Sequence, residues 1–176
     1  EEWQELVTVL EKQLDVVDVE RDRVDLLVRL AQVQEEQFLK ADLAAARLEQ
    51  ALEIDPVRLE AYVALARCYR RLKQWNDLVA TYRRHLDEAS DRETKLELFA
   101  LIGAVFRDEI GDLDQAIDAY QEVVDADETN ISSLDALSKL FEKQGEAARA
   151  IEMMTRVAEL TADGGQQVDM YYRIGR

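Results

Sequence analysis

Very little in this chain can kink it, cross-link it or bind a soft metal. One proline among 176 residues leaves long stretches free to stay helical, and six glycines leave few sites for sharp reversals. Cys68 is the only cysteine, which excludes any intrachain disulfide and any cysteine-based zinc cluster. A lone thiol suits reduced surroundings, so an intracellular, cytoplasmic setting is favoured. His85 is the only histidine, and the phosphate-cradling glycine loop, HExxH and the nucleophile elbow are all missing. The chain is therefore expected to be no enzyme and to need no cofactor or metal. No apolar run approaches the roughly 20 residues that cross a bilayer, and the opening EEWQEL is acidic where a signal peptide is basic and then apolar. Cations are scarce too: 22 lysines and arginines face 38 acidic residues, for a formal net charge of −16. That balance disfavours nucleic acid and anionic membranes as partners, because phosphate contacts need clustered cations.

What the chain does have is an internal repeat. Its two tryptophans, Trp3 and Trp75, lie in the matching segments WQELVTVLEKQL and WNDLVATYRRHL, 72 residues apart (75 minus 3). The same offset relates Leu6, Leu78 and Ala150, and Leu14, Leu86 and Ala158. Self-similarity at a fixed period marks a stacked array whose units bury their apolar faces against their neighbours. Apolar residues at i, i+3, i+4 and i+7 predict ten helices, over 1–18, 21–38, 41–54, 56–72, 75–89, 91–109, 113–126, 130–143, 147–161 and 166–176. Asp55 is expected to cap the fourth, with Pro56 in its first turn, while Gly111, Gly145 and the Gly164-Gly165 pair permit left-handed connections. Short links force neighbouring helices antiparallel. The expected fold is all-α: an α-solenoid of antiparallel helical hairpins in one domain over 1–176. It comprises an orphan second helix at 1–18, hairpins at 21–55, 56–90, 91–128 and 129–162, and the start of a fifth at 166–176.

Residue size alternates where helices would meet. Ala66, Gly103 and Ser138, with Ala31 and Gly175, hold a close-approach position on first helices, and Tyr69, Phe106 and Phe141 follow three residues later, with Gln34 the exception. On second helices Ala44, Leu78, Ala116 and Ala150 precede Leu48, Tyr82, Tyr120 and Met154 by four. These residues resemble the tetratricopeptide repeat family, a 34-residue helix-turn-helix with large and small residues at set positions. Tyr62, Leu65, Ala66, Tyr69, Leu78 and Tyr82 match in one stretch, and Leu134, Leu137, Ser138, Phe141, Gly145, Ala150, Met154 and Val157 in another. The hairpins starting at 24 and 96 look longer by one or two residues in the turn, which makes the strict period 72. The resemblance implies a right-handed superhelix whose first helices line a concave groove holding a peptide or a segment of a partner protein.

In that register Glu60, Val63, Arg67 and Arg70 share one face of a first helix, within a basic stretch from Arg58 to His85. Arg67 and Arg70 would offer forked donors to an acidic peptide, unless these cations pair with acidic neighbours in adjoining hairpins. Neighbouring groove positions are Asp25, Val28, Gln32 and Glu35, then Glu97, Ala100, Ala104 and Arg107, then Ser132, Asp135, Lys139 and Glu142. The lysine and asparagine of the family's carboxylate clamp have no match, since those places hold Val63 and Arg67, Ala100 and Ala104, or Asp135 and Lys139. Cys68 is either a packed small hydrophobe or, among Arg67, Arg70 and Arg71, an activated thiolate. A protein-interaction scaffold with a protein or peptide partner is the leading expectation. The alternative is a spacer, or a self-assembling segment of a longer array. Segments 1–18 and 166–176 look like half-hairpins, and exposed Tyr171, Tyr172 and Ile174 would favour homo-oligomers through terminal helices.

Overall fold

Apolar spacing of three and four residues gathers the buried side chains of each segment onto one helical face, and those faces pack against one another in a computed structural model of the chain. It describes residues 2–161. The helix expected at 166–176, with Tyr171, Tyr172, Ile174 and Gly175, and the Gly164-Gly165 pair lie outside the described residues. Among the described residues nine α-helices and no strand occur: α1 Glu2–Val16, α2 Glu20–Glu36, α3 Ala41–Ile54, α4 Leu59–Leu72, α5 Trp75–Glu88, α6 Arg92–Val105, α7 Leu113–Ala126, α8 Ile131–Gln144 and α9 Ala147–Leu160. The protein is an all-α solenoid of antiparallel helical hairpins, and it divides into two compact units, Glu1–Ala89 and Ser90–Arg176.

In the first unit α1 to α5 pack each on the next, and the first helices α2 and α4 also touch. Ala31, Ala44, Leu48, Leu52, Tyr62, Leu65 and Cys68 form one buried cluster, with Leu14, Val24, Leu27 and Ala51 forming another. In the second unit α6 to α9 pack in the same sequential way around Ile102, Ala116, Tyr120, Leu134, Leu137 and Phe141. Side-chain caps start three of its helices. Asp91 accepts from the Thr94 N–H, Asp112 from Gln115 and Asn130 from Ser133.

Asp55 corrects one expectation, because it closes α3 instead of capping α4. It lies in extended backbone (φ −128°, ψ 87°), as a residue before proline prefers, and its N–H donates to the Ala51 carbonyl. Pro56 and Val57 then form a turn, and α4 begins only at Leu59, behind Arg58. A second difference is in the long helix expected over 91–109. The α-helical part ends at Val105, and Phe106–Ile110 form a π-helical turn. There the Gly111 and Asp112 N–H groups both return to the Phe106 carbonyl, with Gly111 left-handed at φ 81°.

The extra residues of the two longer hairpins are thus seated differently. One hairpin takes a wide turn inside its first helix. The other uses the four-residue link 37–40, where Leu39 is left-handed (φ 54°) and the Lys40 N–H reaches back to the Gln34 carbonyl. The shorter hairpins cross in two residues. Gln74 and Glu146 donate to the Tyr69 and Phe141 carbonyls, and the left-handed positions are Lys73 and Gly145.

The small-then-large pattern has its tightest expression at Gly103 on α6. A Cβ there would lie 2.9–3.1 Å from three ring atoms of Tyr120 on α7, inside contact distance. Gly103→Ala should therefore force the Tyr120 ring aside and lower stability by about 1–3 kcal/mol. Denaturant melts of the variant check this, and a midpoint at or above the parent's would mean the ring yields without strain.

Candidate functional site

Of the first-helix positions picked out by the repeat register, all but the buried Glu35 reach the surface wholly or in part, and most of their charges are already partnered. On α4, Val63 is 56% exposed and Arg67 and Arg70 project beside it. Arg67 grips Glu35 of α2 with its Nε at 2.8 and 3.0 Å from the two carboxylate oxygens and its Nη2 at 2.6 Å, while Arg71 adds a contact at 3.4 Å. Glu35 is 2% exposed, so this carboxylate is buried under two guanidinium groups. Hydrogen bonding from Arg67 holds the Glu35 carboxyl below its ordinary value of 4.5, against a burial effect that acts the other way. Arg70 donates to the Tyr82 hydroxyl at 2.7 Å. Glu60 and Asp25 both accept from Arg58, at 2.7 and 2.6 Å.

Cys68 faces inward, with no exposed surface. Burial pushes its thiol up to about 11, and the Glu35 carboxylate adds to the effect, outweighing Arg67 and Arg71. The activated-thiolate alternative fails for that reason, and Cys68 is a packing residue. His85 stacks on Tyr62 with ring centroids 4.8 Å apart and planes 7° from parallel.

The second unit holds an open cleft of about 570 Å³. Glu93, Leu96, Glu97, Ala100 and Arg107 line it from α6 and the π-helical turn, Tyr120 and Asp127 from α7 and its end, and Asn130, Ser132 and Ser133 from the start of α8. It unites four groove positions marked in the sequence: Glu97, Ala100, Arg107 and Ser132. Arg107 is engaged, making two 2.7 Å bonds to the adjacent Asp108 and lying 5.6 Å from the centre of the Tyr120 ring. Asp127 accepts from the Thr129 N–H and hydroxyl, which hold its carboxyl below the usual range. The remaining groove positions of α8 stand outside this cleft, with Lys139 bonded to Asp135 at 2.6 Å and Glu142 exposed.

Glu93, Leu96 and Tyr120 also line the cleft, and helix spacing could have found Glu93, four residues ahead of Glu97. Asp127 and Asn130 come from a turn, where helical phase gives no signal. A second hollow, of about 480 Å³, lies between α1 and α2 and is lined by Gln13, Val16, Val17 and Asp25 among others. No helix among the described residues is long and apolar enough to cross a membrane.

Comparison with known proteins adds the following. Models of the tetratricopeptide repeat match residues 61–96 and 96–130. No curated protein matches the chain. Among solved structures, a crystal structure of MamA is similar at 18% identity over 90% of this chain and 88% of that one, with a TM-score of 0.62. MamA from Desulfovibrio magneticus RS-1 is similar at 18% identity over 90% and 85% of the two chains, with a TM-score of 0.58. YrrB, described as a TPR protein with an unusual peptide-binding site, is similar at 16% identity over 99% and 81%, also with a TM-score of 0.58. At these identities the likeness speaks for the fold.

Two measurements follow from the buried cluster. Glu35 has a folded value below its unfolded one, so its contribution to stability is complete above about pH 4.5 and is lost as the pH falls through the lowered value. Arg67→Ala should lower stability by about 1–3 kcal/mol at pH 7 and flatten the acid limb. The low end is favoured because Arg67 is half exposed and Arg71 remains. A pH series of urea melts reads both effects, and an unchanged midpoint at pH 7 contradicts the account. Cys68 should react with iodoacetamide at pH 8 roughly a hundredfold more slowly than an ordinary thiol, with the rate recovering in urea; a native rate equal to that of free cysteine would mean the thiol is accessible.

Proposed function

Because the chain belongs to the tetratricopeptide repeat family, whose members act as protein-interaction scaffolds, we propose that its first helices bind an extended segment of a partner protein. The open cleft of the second unit carries this proposal: a surface hollow lined by Glu97, Ala100, Arg107 and Ser132, which the repeat register assigns to the groove. Its polar and apolar walls suit the backbone and side chains of an extended peptide better than a flat spacer surface would. The exposed face of α4, with Val63, Arg67 and Arg70 in succession, offers a second contact strip in the first unit. YrrB, of similar fold, is described as having a peptide-binding site, which lends support by analogy.

The internal ion pairs Arg67–Glu35 and Arg107–Asp108 argue against the simplest acidic-peptide clamp, since a ligand carboxylate would have to displace partners already in place. They are also what a structural spacer would have, so the support for groove binding comes from the cleft. Glu at position 67 would be a poor probe, because it would set a second carboxylate against buried Glu35 and confuse folding with binding. Val63→Asp is cleaner, since an exposed substitution should change stability by no more than about 0.5 kcal/mol.

Amide shifts during titration with peptides selected on the folded chain should cluster on α4, α6 and α8, around Val63, Ala100 and Ser132. Shifts confined to the outer faces of α5 and α7, or no selectable peptide at all, would favour the spacer.

A further inference from the structure

Along the groove positions, Glu35, Asp25 and Asp135 each meet a cation within 2.6 Å. Glu142 of α8, outside the cleft, is in no ion pair among the described residues, and inside the cleft the same holds for Glu93 and Glu97. Glu93 and Glu97 lie one turn apart on α6, both exposed and both lining the cleft. Like charges at i and i+4 repel, so this arrangement weakens the helix that carries it. The helix N-terminus compensates Glu93 in the first turn, but its field fades before Glu97.

The start of α8 adds a second, independent sign of a ligand. Ser133 is 2% exposed and lines the cleft; its N–H is held by Asn130, while its hydroxyl takes no partner among the described residues. The cation in the lining, Arg107, is neutralised by Asp108 and lies over the Tyr120 ring, so it does not cancel the two glutamates. Leu96 and Ala100 give the same cleft an apolar strip. A hollow with an aliphatic wall and carboxylates at its rim matches a long side chain with an apolar stem and a positive head.

We propose that this cleft receives a lysine or arginine side chain of an extended partner segment, its methylenes along Leu96 and Ala100 and its cationic head between Glu93 and Glu97. The inference rests on the groove-binding function above and gives its partner a chemistry: a basic peptide. The chain's formal net charge of −16 would speed the approach of such a segment.

The test is selection of peptides from a display library on the whole chain, followed by titration of the synthetic winners. Selected peptides should carry a lysine or arginine whose replacement by norleucine weakens binding about tenfold, with Glu97→Gln and Glu93→Gln each causing a similar loss and added salt weakening binding further. Both glutamates are exposed, so the variants should fold as the parent does. Winners without a basic residue, or binding indifferent to both glutamine variants, overturn the proposal. If such winners respond to Val63→Asp, groove binding survives without the basic partner. If no peptide is selected, both fail together.

Discussion

Where helices of this chain meet, small side chains are buried among large ones, and the tightest approach sets Gly103 against Tyr120. Ala44 and Ala116 have no exposed surface, Ala150 has 2%, and Gly103 sits against the face of Tyr120 with no room for a methyl group. Everything else is arranged around those approaches. They fix the depth at which Tyr82, Phe106 and Tyr120 are buried, and so decide which residues of the first helices remain outside to meet solvent. The arrangement is local, because within each unit a helix touches chiefly the helices before and after it, and stability in such a stack is a sum of neighbour interfaces.

The fold was legible because size and hydrophobicity recur at fixed spacing, and close packing punishes departures from that spacing. Ala66, Gly103 and Ser138 could be aligned without coordinates because the same helix-to-helix gap is built three times. The places where the chain spends its extra residues were not legible. A period of 72 says that one hairpin in two is longer, but an added residue can widen a link, as around Leu39, or a helical turn, as at Phe106–Ile110. Periodicity is silent between those outcomes. Asp55 was misplaced for a related reason: a residue before proline can end one helix as readily as it can precede another.

The electrostatics were less readable than the packing. Arg67 and Glu35 are 32 residues apart, about one repeat, and only the stacking of α2 beside α4 brings them together. A run of arginines in the sequence looked like a binding surface, but the folded chain turns much of it into internal pairing. The two unpaired glutamates of α6 attracted less attention because an acidic residue is unexceptional in so acidic a chain. Their lack of a cation is visible only once Asp25, Glu35 and Asp135 are seen to have found theirs.

The wide turn at the end of α6 has an effect beyond accommodating an inserted residue. Side chains adjacent in sequence point in different directions on a regular helix, yet Arg107 and Asp108 lock together through two bonds at the start of this turn. The guanidinium is thereby drawn into a neutral couple in the lining of the hollow. A local change in winding has become a change in ionic character: one surplus residue mutes the only basic side chain among the described residues lining that hollow and leaves the lining acidic.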